Sequence, residues 1–76
     1  MSPRLARITP ADLLRALRRD DWEPVRQSGS HVQLLHPTKP GRVTFAVHAN
    51  RVINPKTLTS ALRQAGLTID QLQDLL

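Results

Sequence analysis

The chain has 76 residues, with eleven Lys and Arg against six Asp and Glu for a formal charge of +5. That length suffices for one domain with a small core and excludes a deep catalytic cavity. The absence of cysteine excludes disulfides, thiolate zinc sites and a cysteine nucleophile.

Aromatic residues are only 3% of the chain, so the core must be built from Leu, Val, Ile and Ala around Trp22 and Phe45. The N-terminal stretch MSPRLARITP has no apolar centre of the secretory kind and no apolar run is long, so we expect a cytoplasmic protein that does not enter a membrane. Charge is uneven: residues 1–63 carry eleven basic and four acidic side chains, residues 64–76 none and two. A basic body points to an anionic partner. Nucleic acid comes before membrane because no long basic amphipathic helix is present, and solubility alone is the plainer explanation.

In chain order, TPAD opens the first helix. Thr9 can cap it, Pro10 suits its first position, and Asp12 faces the positive end of the helix dipole. Leu13, Leu14 and Leu17 form its apolar stripe among Arg15, Arg18 and Arg19, and it should stop near Asp20. From Trp22 to Val47 the periodicity changes to two, interrupted by SGS and HPTKPG, which predicts three antiparallel strands at roughly 22–27, 30–36 and 42–48. Pro24 cannot donate to a ladder, so the first strand should be an edge or begin irregularly. NPKTLTSALRQAGL is a second helix, with Asn54 as cap, Leu58, Ala61, Leu62 and Ala65 on one face, and Gly66 as terminator. Thr68 and Gln71 match a capping box for a third, shorter helix, whose apolar side is Ile69, Leu72, Leu75 and Leu76. The expected fold is α+β, in the order α-β-β-β-α-α, with the helices on one face of the sheet and the other face open. No linker, repeat or low-complexity tract breaks the chain, so one domain spans 1–76.

Strand parity sorts the three histidines, because successive side chains point to opposite faces. Val32 and Leu34 are the core pair of the second strand, which puts His31, Gln33 and Leu35 outside. Val43, Phe45 and Val47 suit the core in the third, leaving Thr44, Ala46 and His48 outside. His36 points inward or ends its strand, where a histidine before proline commonly caps backbone groups. His31 and His36 therefore oppose one another, and the carboxylates lie on the helices and first strand, which argues against a metal site. Trp22 is expected in the core and not as a base-stacking platform.

GSH at Gly29–His31, HP at His36–Pro37, a strand ending in His48, TL at Thr57–Leu58 and AGL at Ala65–Leu67, together with Trp22, resemble the HicA toxin family, also called YcfA-like. The resemblance implies a double-stranded-RNA-binding-domain-like fold and a messenger-RNA-cleaving toxin neutralised by a HicB antitoxin. It also implies that the GSH histidine, here His31, is catalytic. Family members often carry Gly, Pro and Gly where this chain has Asp21, Ala46 and Lys56, substitutions that touch backbone turns and strand geometry.

RNA carries its own nucleophile, so no metal or cofactor is needed if a group near neutral pKa helps the 2′-hydroxyl attack the adjacent phosphate. His31 is given that task, with His48 as a possible second acid or base. Arg26, Lys39 and Arg42 are the candidate cations for the phosphate, while Gly29 and Ser30 shape the approach. The competing readings are a non-catalytic RNA- or DNA-binding module of the same fold, in which His31 only touches phosphate, and a protein-interaction domain that docks an acidic partner.

Overall fold

The computed structural model describes residues 7–47 and 51–76. Helix α1 (Pro10–Arg19) begins with a full capping box: the Asp12 N–H donates to Thr9 Oγ1 at 3.2 Å and the Thr9 N–H to Asp12 Oδ2 at 3.0 Å. The Thr9 backbone N–H donating to it, and after that the Thr9 hydroxyl, hold the Asp12 carboxyl below its ordinary value, and the neighbouring Arg15 adds to the effect.

The end of α1 sets up the rest of the chain. The Asp21 N–H donates to the Arg18 carbonyl and the Trp22 N–H to the Leu17 carbonyl, both at 3.0 Å, a reversal that requires a left-handed residue between helix and exit. Asp21 takes that conformation, with φ 72°. The bonds swing Trp22 fully into the core. Asp tolerates the left-handed region better than most residues but less well than Gly. Asp21→Gly is therefore expected to raise stability by up to about 1 kcal/mol, read as a higher thermal midpoint.

Because the Trp22 N–H is used by α1, the first strand, β1 (Glu23–Ser28), starts one residue later than the alternation suggested. It pairs antiparallel with β2 (His31–Leu35), which pairs antiparallel with β3 (Val43–Ala46), in the order β1-β2-β3. The β1–β2 register slips between Pro24 and Arg26. A proline and a bulge on an outer strand both discourage further pairing there.

Helices α2 (Pro55–Ala65) and α3 (Ile69–Leu75) follow. Asn54 Oδ1 accepts from the Lys56 N–H, and Gly66 ends α2 at φ 67°. Thr68 and Gln71 form the expected reciprocal cap on α3. The core joins Val32, Leu34, Val43 and Phe45 from the sheet to Leu13 and Leu17 of α1, Leu58 and Leu62 of α2, and Leu72 of α3. No polar or charged residue is among the buried ones described. The architecture is thus the α+β order expected, with a three-stranded antiparallel sheet. All six residues of β1 are exposed, so the buried layer ends beneath β2 and the β1 edge projects beyond it.

Candidate nucleic-acid interface

The turn between β1 and β2 decides which way His31 faces. Ser28 pairs with His31, leaving a two-residue loop of Gly29 and Ser30. Gly29 has φ 60°, as a two-residue hairpin with glycine at its first central position requires. A Cβ there would meet nothing within 4 Å, so the need for glycine is conformational and not steric. A slip of one residue in this hairpin would turn His31 into the core and Val32 out of it.

Facing positions of an antiparallel pair share a side, so the register maps the uncovered face. Ser28, His31 and Ala46 form one row, and Arg26, Gln33 and Thr44 the next, about 6.6 Å along the strands. Leu35 continues the series on β2, and Arg42, one residue before Val43, takes the outward parity beside it. Arg42 Nη1 donates to Gln33 Oε1 at 2.8 Å. No salt bridge among the described residues engages Arg26 or Arg42. The result is an exposed imidazole at one end of a polar strip that carries two guanidinium groups, one of them oriented by an amide.

Gln33 is the member that sequence reasoning did not single out. Its position two residues after His31 was signal enough for its face, but its bond to Arg42 depends on the β2–β3 register.

Lys39 does not join this strip. Its Nζ lies 2.6 Å from Asp20 Oδ2 and donates to the Ala65 carbonyl at 3.1 Å, tying the β2–β3 loop to the ends of α1 and α2. Its ammonium is thus neutralised and held away from His31.

His36 completes the same clasp. Its Nε2 donates to the Asp20 carbonyl at 2.6 Å, while Nδ1 accepts from the Thr38 and Lys39 N–H groups at 3.1 and 3.0 Å. The ring also stands edge-on to Trp22, with centroids 5.1 Å apart. His36→Ala would strand the Lys39 N–H in a part-buried loop, leave the exposed Thr38 N–H to water and remove the bond to the Asp20 carbonyl, and is expected to cost about 1–3 kcal/mol. A lower urea midpoint, with RNA cleavage retained below it, is the measurement. His48 lies outside the described residues, and no group of three metal-ligating side chains gathers among those that are described.

Chemically, the strip can present cations to an anion lying across the sheet, and His31 can exchange a proton with it. A small α+β domain whose uncovered sheet face joins an imidazole to arginines is suited to a polyanionic chain. Residues 10–67 match the family described as HicA toxin of bacterial toxin-antitoxin. The chain belongs to this family, which places it on the toxin side of such a system. A comparison with curated proteins finds no match.

Proposed function

We propose that this protein is a cytoplasmic endoribonuclease that cleaves messenger RNA as the toxin of a type II toxin-antitoxin pair, with His31 as the catalytic group. The observation that carries the reading is the exposed position of His31 beside Arg26, Gln33 and Arg42 on an uncovered face. Membership in a toxin family supports it.

In the proposed reaction the His31 imidazole takes the proton of the ribose 2′-hydroxyl. The 2′-oxygen attacks the adjacent phosphorus and the P–O5′ bond breaks. This leaves a 2′,3′-cyclic phosphate and a 5′-hydroxyl, so the proton gained by His31 is balanced by one delivered to O5′. His48, which lies outside the described residues, is the second candidate for that delivery. Arg42, aimed by Gln33, and Arg26 offset the charge that gathers on the phosphate oxygens. Gly29 and Ser30, the two-residue turn that leads into His31, shape the approach to it. A HicB-type antitoxin would act by covering this same face, in competition with RNA.

The test is digestion of one sequence made as RNA and as DNA, with a chelator present. Wild-type protein is expected to cut the RNA and spare the DNA, which lacks the attacking hydroxyl. RNA left whole over a range of pH, but bound, favours the non-catalytic module.

A further inference from the structure

His31 and Ala46 are directly opposed on β2 and β3. The Val47 N–H donates to the Ser30 carbonyl at 2.6 Å, which makes His31–Ala46 a non-hydrogen-bonded pair, the type with Cα atoms about 4.5 Å apart and side chains closest. The small Ala46 side chain does not fill the space beyond it. A cleft of about 340 Å³ opens there, walled by Pro10, Ala46, Val52 and Ile53, with Arg51 and Thr57 among its polar lining. Val52 is 53% exposed, an apolar surface that remains accessible. The cleft is thus one residue across the sheet from the imidazole, and its size is at the lower end of small-ligand sites. A cleft of about 400 Å³ between α2 and α3 has no such relation, because none of its lining residues belongs to the His31 face.

We propose that the Ala46 cleft is a nucleobase subsite, holding the base of a nucleotide that flanks the phosphate at His31. The proposal rests on the reading of His31 as the RNA-cleaving group. A base needs an apolar wall for its faces and polar groups at its edge. Val52 supplies the first, with the buried Pro10 at the margin of the cleft, and Thr57 the second. The occupant must also be tethered to an anionic chain, and Arg51 on this side of His31 with Arg26 on the other side matches such a chain in charge. A base seated beyond Ala46 would fix the register of the strand, so that the scissile phosphate stops at the imidazole instead of sliding past it.

The experiment compares short RNAs that are intact or carry one abasic ribonucleotide immediately 5′ or 3′ of the cleaved bond. Removal of the base on the cleft side is expected to slow wild-type cleavage about tenfold, the scale on which a single seated base contributes, and removal on the other side less. Val52→Ser and Ala46→Leu, which respectively remove the wall and fill the mouth, should move the intact-to-abasic rate ratio towards one. Val52 is exposed, so its variant remains informative if Ala46→Leu unfolds. Equal wild-type rates on intact and abasic RNA, or an unchanged ratio in every folded variant, overturn the subsite. The same comparison is read as a Kd ratio by fluorescence anisotropy on RNAs with a 2′-deoxy sugar at the cleaved position. Wild-type protein that cuts nothing but binds the intact strand about tenfold tighter than the abasic one retains the subsite and removes the nuclease. Binding indifferent to the base, or no binding, overturns the subsite.

Discussion

His31→Ala is expected to lower RNA cleavage by about 10²–10⁴-fold, the range supplied by one positioned acid-base group, while RNA affinity at low salt changes little. The separation follows from the division of labour on the open face. Arg26 and Arg42 lie in other rows than His31 and carry the charge, so removing an exposed imidazole is expected to leave the proposed phosphate contacts in place. Gel digestion and anisotropy on the same preparations make the comparison, with circular dichroism as the folding control. Affinity should fall steeply with salt in both proteins, because displaced counterions drive binding. His48→Ala, run alongside, tests whether His48 is the second proton donor. Expression without a partner extends the test to cells, where wild type should be toxic and His31→Ala tolerated. Equal cleavage by wild type and His31→Ala would remove His31 from the chemistry.

Trp22→Ala should have the largest effect on stability, about 3–5 kcal/mol. A chain of this length draws only about 3–5 kcal/mol of net stability from a single core, so the variant is expected to be largely unfolded at 25 °C. Trp22 has no exposed surface, its N–H closes the end of α1, and its ring packs against His36. Its loss therefore opens a cavity and loosens the loop that leads into β3. Urea unfolding followed by circular dichroism measures this, with Val25→Ala on the exposed β1 bulge as a control expected to change little. A Trp22→Ala protein as stable as wild type would mean that the core does not depend on that ring.

The elements and the outward face of His31 were legible in the sequence because their causes are local. Thr9, Asn54 and Thr68 act on N–H groups two or three residues away, and Gly66 ends α2 through its own backbone angle. The alternation of Val32 and Leu34 against His31 and Gln33 is a property of any strand with one buried side. The bulge beside Pro24 likewise follows from a missing N–H.

Lys39 shows where local reasoning ends. Basic and near the sheet in sequence, it had the same claim on a phosphate as Arg42, yet it reaches Asp20 and Ala65, 19 and 26 positions away. Nothing within a few residues of Lys39 encodes those partners, because both helix ends must first be packed before their acceptors meet its ammonium. The Gln33–Arg42 bond and the cleft beyond Ala46 arise in the same way, from strands and a helix brought together across the chain. The sequence alone determined which residues face outward, through periods of two and 3.6 residues. Tertiary structure decided which of them share a site, since that depends on distances closed only when the core is buried.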